Sequence, residues 1–234
     1  MKERIALAIF VKTPELSPVK TRLAASVGTQ VATEFYNLST TVTEKVVQQV
    51  QKKVRNLTPY WAIAELEGLE SHRWKNFNKI GQGQGTLGDK LSFVYNQLLV
   101  KYESVAFIGS DSPHLSVYQL TDILISASQI SVSNFMLGES NDGGFYFFAG
   151  SSPLQKSQWL DVTYSSSKTC EQLQTQLEKN GPVIKIEKSF DVDNLNDLKQ
   201  LATDPWLLKN SSQLIPEQLQ LIDWSKKICF PLLA

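Results

Sequence analysis

The strongest constraint on the fold is a run of apolar residues near the start of the chain, Ile5 to Val11, in which polar residues do not alternate with apolar ones. A strand of this kind is covered on both of its faces. From Val31 to Val54, apolar residues then recur every three or four positions, which predicts a long amphipathic helix with its apolar stripe on a sheet. A buried strand followed by a helix is the repeating unit of α/β proteins.

The same alternation continues along the chain. Further strands are predicted at 60–64, 105–108, 134–137, 143–149 and 183–186, and further helices at 87–102, 115–127, 168–180 and 194–202. The glycine-rich stretch 81–85 is interpreted as a flexible loop, and the apolar tail after residue 203 is expected to dock on the body. The pattern predicts an α/β fold with a mainly parallel sheet flanked by helices, built as one domain.

The charge balance and the cysteines exclude several classes of protein. The 234 residues include 23 Lys and Arg and 23 Asp and Glu, so the formal charge is zero, and no nucleic-acid partner is expected. No segment approaches the roughly 20 apolar residues of a membrane helix, so membrane insertion is not expected either. Cys170 and Cys229 are far apart and form no C-x-x-C pair. A cytoplasmic protein is expected.

Three cations follow the first predicted strand. Lys12, Lys20 and Arg22 lie within eleven residues, and the segment ends where a helix begins. In parallel sheets, ligands bind beyond the carboxyl ends of the strands, and cations beside a helix N-terminus suit phosphate. The alternative is a solvated basic loop.

Single carboxylates follow the later strands. Asp111 lies in the turn Gly109-Ser-Asp-Ser-Pro113, where it suits Mg²⁺ or Mn²⁺ or, alternatively, caps the next helix. Asp142-Gly-Gly144 is typical of a backbone close to a ligand, or of a plain turn. In Asp191-Val-Asp193, extended geometry predicts that the carboxylates point to opposite sides, so that one faces a site and the other caps the helix near Asn194.

Several motifs occur together in a fixed order. They are Phe10-Val-Lys-Thr-Pro14 with Val19-Lys-Thr-Arg-Leu23, Gln84-Gly-Thr-Leu-Gly88, Ile108-Gly-Ser-Asp-Ser-Pro113, Gly138 with Asp142-Gly-Gly-Phe-Tyr146, and Asp191-Val-Asp-Asn-Leu-Asn-Asp-Leu198. With these motifs the chain resembles a bacterial family of GT-A-type nucleotide-diphospho-sugar transferases, the rSAM/selenodomain-associated transferase family. The resemblance spans about residues 5–202.

The resemblance implies a single-domain, Rossmann-like GT-A fold over residues 1–203, with residues 204–234 as a C-terminal extension docked on it. By the same resemblance, Lys12, Lys20 and Arg22 would contact the phosphates of a nucleotide. Gln84 would contact its base or its sugar.

The resemblance also implies roles for three carboxylates. Asp111 would bind Mg²⁺ or Mn²⁺, with Asp193 as the second ligand. Asp142 would lie near the transferred group, as a base on the acceptor side or as a hydroxyl contact.

The activity implied by the resemblance is that of a metal-dependent glycosyltransferase-like enzyme with a nucleotide-diphospho-sugar donor and an unknown small-molecule acceptor. The chain departs from the glycosyltransferase pattern D-x-D, since Ser110-Asp-Ser112 stands in its place. One carboxylate with a distant partner is more similar to the metal site of a nucleotidyltransferase, in which a nucleoside triphosphate and a phosphorylated small molecule give pyrophosphate. A third hypothesis is a non-catalytic nucleotide-binding module.

Overall fold

A computed structural model describes residues 3–129 and 134–230 of the chain. Its centre is a seven-stranded sheet with the strand order β3-β2-β1-β4-β6-β5-β7. The strands are β1 (Glu3–Val11), β2 (Leu57–Ile63), β3 (Asn78–Gly81), β4 (Tyr102–Gly109), β5 (Phe135–Ser140), β6 (Phe145–Gly150) and β7 (Val183–Ser189).

The sheet is mainly parallel. Strand β6 pairs antiparallel with both β4 and β5, whereas the other neighbours pair parallel. All strands except β6 therefore run in one direction, and their carboxyl ends meet at one edge of the sheet. The predicted α/β fold with a mainly parallel sheet is confirmed.

Helices flank the sheet on both faces. They are α1 (Thr21–Val27), α2 (Thr29–Gln51), α3 (Leu87–Leu99), α4 (Val117–Ser128), α5 (Lys156–Leu160), α6 (Thr169–Glu178), α7 (Leu195–Thr203), α8 (Pro205–Lys209) and α9 (Pro216–Cys229). Short 3₁₀ helices lie at Glu67–Glu70, His72–Trp74 and Ser211–Gln213. Side-chain caps start several of the helices: Thr86 caps α3, Ser116 caps α4 and Asn194 caps α7.

The lack of alternation in β1 reflects burial on both faces. Ile5, Leu7 and Ile9 pack in a core with α2, α4, α7 and α9. Ala6 and Ala8 pack in a second core, on the other face, with α3, α5 and α6. Each large apolar side chain in these cores stabilises the fold by about 1.5–3 kcal/mol. The sheet is thus held from both sides.

The C-terminal segment packs on the body through α9, which contacts α2 and α7. Gln218 Nε2 donates to the carbonyls of Pro113 and Leu115 at 2.8 and 3.1 Å. The indole of Trp224 donates to Glu34 at 2.9 Å. These contacts join the segment to the rest of the fold, and the division at residue 203 remains a proposal. Residues 231–234 of the predicted extension lie outside the described residues.

Several predicted boundaries shift by a few residues, and two predicted segments run into a neighbouring element. The helix predicted over 87–102 ends at Leu99, and Tyr102 begins β4, where its hydroxyl lies 3.0 Å from that of Tyr60. Tyr102 continues the helical spacing, so the apolar pattern did not separate helix from strand. The loop predicted at 81–85 overlaps the end of β3, a short edge strand without a fully buried residue. Short strands of this kind carry no periodic signal.

Among the described residues, no helix is both long and apolar enough to cross a bilayer.

One buried histidine makes the stability of the fold depend on pH. His114 stacks on Phe190 at a ring distance of 3.9 Å, and its Nε2 lies 2.7 Å from Ser189 Oγ. Burial lowers the pKa of this imidazole from 6.5 to about 3. The folded state therefore holds His114 neutral over a pH range in which the unfolded chain binds a proton.

We expect the free energy of unfolding to fall as the pH is lowered from about 6.5 towards 3, with a slope from His114 of up to about 1.4 kcal/mol per pH unit. Above pH 6.5 both states are neutral at this residue and the slope from His114 vanishes. His114→Gln removes this slope, which denaturant unfolding at a series of pH values measures. His72→Gln is the control, because it removes the other histidine, which is exposed, and should leave the slope from His114 in place. A His114→Gln curve as steep as that of the wild type contradicts the prediction.

Candidate functional site

The site lies where the strands' carboxyl ends meet. Phe10 at the end of β1 pairs with Gly109 at the end of β4, so the loops that follow these strands are neighbours. The main chain of the segment after β7 joins them, because Val192 N donates to Asp111 O at 2.9 Å. The three predicted segments around Lys20, Asp111 and Asp193 are thereby brought together.

A buried ammonium occupies the centre of the site. Lys20 Nζ lies 2.9 Å from Asp111 Oδ1 and 2.9 Å from Asp193 Oδ1, and the lysine side chain is 4% exposed. Burial disfavours the charged form, but the two carboxylates outweigh this effect and raise the pKa of Lys20. The lysine therefore stays charged and holds two acidic loops at one point.

Local structure aims Lys20 inward. Its backbone is left-handed (φ 47°, ψ 45°), and it is the residue directly before α1. The ammonium lies 6.0 Å from the centre of the Phe35 ring on α2. Ser39, also on α2, donates from Oγ to the carbonyl of Ser110. Helix α2 thus supports both the lysine and the loop that carries Asp111.

A first cavity of about 510 Å³ opens beside this ion pair. Lys12, Arg22 and Lys90 line it together with Lys20, so four cations face two carboxylates. The Tyr36 hydroxyl donates to the carbonyl of Lys12 and accepts from its main-chain N–H, both at 2.8 Å. The three predicted phosphate ligands therefore lie in one cavity of a size that suits a small-molecule ligand.

The structure does not bring Gln84 to this cavity. Gln84 is exposed, whereas Gln82 is buried and lines the cavity wall. Gln82 Nε2 donates to the carbonyls of Ala62 and Val11 at 2.9 and 3.3 Å. Both glutamines lie in the same glycine-rich segment. Gln82 directly follows β3, and the place of β3 in the sheet puts Gln82, and not Gln84, at the cavity. Sequence reasoning also missed Tyr36 and Lys90 as cavity residues.

A second cavity of about 380 Å³ adjoins the first. The two share Phe10, Arg22, Leu87 and Asp193, which form the boundary between them. Asp142 and Asp191 line the second cavity together with Asp193. Asp142 therefore lies outside the cluster of cations, next to it.

The turn that carries Asp142 is tight. Asp142 Oδ1 accepts from Ser140 Oγ and, at 2.8 Å, from Gly144 N. Gly143 has a φ of +84°, and a Cβ there would lie 2.1 Å from the carbonyl oxygen of Ser167. Glycine is therefore required, and the turn is fixed against the serine segment 165–167 of the cavity wall.

The aspartates after β7 differ from the prediction. Asn194 caps α7, accepting from the main-chain N–H groups of Asn196 and Asp197, so the prediction that an aspartate caps this helix was wrong. Asp191 accepts from Ser112 Oγ, and both Asp191 and Asp193 line the second cavity. Burial raises the pKa of Asp191 to about 6, with the charge of Asp111 adding to the rise and the Ser112 hydrogen bond opposing it.

Asp111 and Asp193 converge on one cation position, since both contact the same ammonium. Carboxylate oxygens are preferred ligands of Mg²⁺ and Mn²⁺, and Mg²⁺ commonly takes one or two carboxylates with substrate phosphates and water. Within residues 3–129 and 134–230, no three or more His, Cys, Asp or Glu side chains form a group that could hold a metal ion. The position at which these two carboxylates converge is filled by the Lys20 ammonium.

One family profile matches residues 46–166, about half of the chain, and is described as "uncharacterized protein conserved in bacteria (DUF2064)". The match includes Asp111 and Asp142, whereas Lys20 and Asp193 lie outside it. No curated protein matches the chain by sequence.

Solved structures share the fold. A Desulfovibrio desulfuricans protein, provisionally named a nucleotide-diphospho-sugar transferase, is 18% identical with a TM-score of 0.78, covering 98% of this chain and 97% of its own. A Methanothermobacter nucleotidyl transferase is 14% identical with a TM-score of 0.54, covering 88% and 99%. A Mycobacterium tuberculosis protein in complex with manganese is 12% identical with a TM-score of 0.50, covering 86% and 98%. At these identities the likeness shows a nucleotide-diphospho-sugar transferase-like fold.

The close approach at Gly143 is testable by substitution. We expect Gly143→Ala to lower the free energy of unfolding by more than the about 1–3 kcal/mol of a strained backbone, because the new methyl group meets the Ser167 main chain. Gly28→Ala is the matched control, since Gly28 has a φ of +83° and nothing within 4 Å of its Cβ position. Denaturant unfolding of both variants measures the difference. Equal losses contradict a close approach at Gly143.

The position of Lys20 predicts competition between its ammonium and a metal. We expect Lys20→Met to raise the affinity for Mn²⁺ without nucleotide about tenfold or more, because a charge-assisted contact of about 1.5–3 kcal/mol no longer competes. Titration followed by the electron paramagnetic resonance of free Mn²⁺ measures this affinity.

Lys12→Met is the control for this experiment, since Lys12 lines the same cavity with an exposed side chain. Adding Asp111→Asn to Lys20→Met should abolish the gain. Equal Mn²⁺ affinities of Lys20→Met and wild type, with circular dichroism unchanged, contradict the competition.

Proposed function

The chain belongs to the DUF2064 family, and we propose that it is a transferase that uses a nucleotide. One observation carries the proposal: a buried lysine paired with two aspartates lies at the carboxyl ends of β1 and β4, in a cavity lined by three further cations. Clustered cations at this edge of a parallel sheet are suited to phosphate groups.

The nucleotide takes the first cavity. Lys12, Arg22 and Lys90 contact its phosphates, and Lys20 joins them when it leaves its carboxylates. Gln82 replaces Gln84 as the contact to the base or the sugar, because its side chain lines the cavity. The volume of about 510 Å³ is in the range of small-molecule sites.

Asp111 and Asp193 hold Mg²⁺ or Mn²⁺ together with the phosphates. When bound, the metal neutralises charge on the leaving phosphate oxygens. The manganese complex of the Mycobacterium tuberculosis protein of the same fold supports this assignment. Lys20 and Arg22 supply further positive charge to the leaving group.

The donor is a nucleotide-diphospho-sugar, as the name of the Desulfovibrio protein suggests. The oxygen of an acceptor hydroxyl forms a bond to the anomeric carbon of the sugar. The bond from that carbon to the diphosphate oxygen breaks, and its electron pair leaves with the nucleoside diphosphate. The hydroxyl proton passes to the Asp142 carboxylate, which acts as the base on the acceptor side.

A nucleotidyltransferase is the second candidate. The segment Ser110-Asp-Ser112 carries one carboxylate in place of D-x-D, and the Methanothermobacter protein of the same fold is a nucleotidyl transferase. In that reaction a phosphate oxygen of the second substrate attacks the α-phosphate of a nucleoside triphosphate, and pyrophosphate leaves with the electron pair of the broken bond. A non-catalytic nucleotide-binding module is the third candidate. We also propose that the protein is cytoplasmic.

Thermal unfolding against a panel of nucleotides tests the proposal. Nucleoside triphosphates and UDP-, GDP-, dTDP- and ADP-sugars are each added with Mg²⁺, Mn²⁺ or EDTA. A ligand at a hundredfold excess over Kd stabilises the folded state by about 2.7 kcal/mol. We expect a metal-dependent shift with one sugar nucleotide.

Asp111→Asn should remove the metal-dependent part of this shift. Asp122→Asn should leave it intact, because Asp122 is an exposed carboxylate on α4 outside both cavities. A shift with triphosphates only favours the nucleotidyltransferase. No shift with any nucleotide contradicts the proposal.

A further inference from the structure

The second cavity differs in charge from the first. Asp142, Asp191 and Asp193 line it, and among the described residues the guanidinium of Arg22 is the one cation in its wall. The Arg22 side chain is 63% exposed, and its Nη1 lies 3.8 Å from Asp193 Oδ2. The second cavity is therefore acidic, although it adjoins a basic one.

Three main-chain donors beside this cavity are already used within the protein. At the start of α6, Ser166 N donates to Thr169 Oγ1 at 3.2 Å, Lys168 N donates to Ser166 Oγ at 3.2 Å, and Cys170 N donates to Gly143 O at 2.8 Å. An anion at a helix start needs free N–H groups of this kind. The start of α6 does not offer these groups to a phosphate.

Three of the hydroxyl groups in the wall are committed in the same way. Ser140 donates to Asp142, Tyr146 donates to Glu187 O at 2.7 Å, and Tyr164 donates to Trp159 O at 2.9 Å. What remains for a ligand is the carboxylate oxygens, which only accept, and the hydroxyls of the serine segment 165–167, which can donate or accept, beside the apolar side chains of Phe107 and Phe145. A wall rich in acceptors is best satisfied by a ligand rich in hydrogen-bond donors.

We infer that the second cavity binds the acceptor substrate, and that this acceptor presents hydroxyl or ammonium groups and no phosphate or carboxylate. This inference rests on the proposed function, since it assigns the partner of the nucleotide in the first cavity. Oδ1 of Asp142 is held by the turn, and Oδ2 receives the attacking hydroxyl and its proton. The acceptor of a nucleotidyltransferase would carry a phosphate monoester, which the carboxylates of Asp142 and Asp191 repel.

The test uses four sugars of one size that differ in charge: glucose, glucosamine, glucuronate and glucose 6-phosphate. Saturation-transfer NMR with the wild-type protein measures binding of each sugar at neutral pH, with and without a nucleoside diphosphate and Mg²⁺. We expect glucosamine and glucose to bind at least about tenfold more tightly than the two anions, which corresponds to 1.4 kcal/mol. Anions that bind as tightly, or four sugars that all fail to bind, overturn the inference.

Substitutions test whether the sugars bind in the second cavity. Asp142→Asn should reduce the preference for glucosamine over the two anions, because it removes one negative charge from the wall. Asp161→Asn should not, since Asp161 is exposed and does not line the cavity. A preference unchanged by Asp142→Asn overturns the assignment to this cavity.

The result of the sugar-binding test can be distinguished from the result of the nucleotide panel. Nucleotide binding without the expected sugar preference overturns only the acceptor class. The expected sugar preference without any nucleotide binding supports the charge selectivity of the second cavity and contradicts the proposed transferase.

Discussion

The site depends on the burial of one ammonium group. Lys20 extends from the loop after β1, is almost fully withdrawn from solvent, and contacts Asp111 after β4 and Asp193 after β7 at equal distances. An unpaired charge at such a position would be costly, so the lysine requires at least one of these carboxylates. The three loops are thereby held together at the edge of the sheet, beside the first cavity.

The ion pair also makes the site ready for exchange. Two carboxylates around one ammonium leave a net negative charge, which a divalent cation neutralises more completely. A phosphate that enters with the metal offers the ammonium a new partner. Under the proposed function, the lysine moves from carboxylates to phosphate without losing its pairing, which would keep the energetic cost of opening the site low.

The two cavities separate opposite charges within a short distance. Arg22 and Asp193 lie in the shared wall, so the boundary itself carries one charge of each sign. In the proposed reaction, this contrast would sort a donor rich in phosphate from an acceptor rich in hydroxyl groups before any contact with a base or a sugar. Orientation of the two substrates then follows from the fixed turn at Gly143 and from the support of α2.

The alternation of strands and helices follows from the amino-acid pattern alone, because the uninterrupted apolar run 5–11 has to be buried on both faces and the apolar stripe of α2 has to cover one of them. Chain order likewise shows which loops carry charge at the carboxyl ends of the strands. Which of those charges meet depends on the three-dimensional fold. Lys20 and Asp193 are far apart in the chain, and the order of strands in the sheet brings them together. The choice of Gln82 over Gln84 depends on the end of a short edge strand. The acidity of the second cavity arises from carboxylates on separate turns, and local sequence patterns do not show which turns lie close together in space.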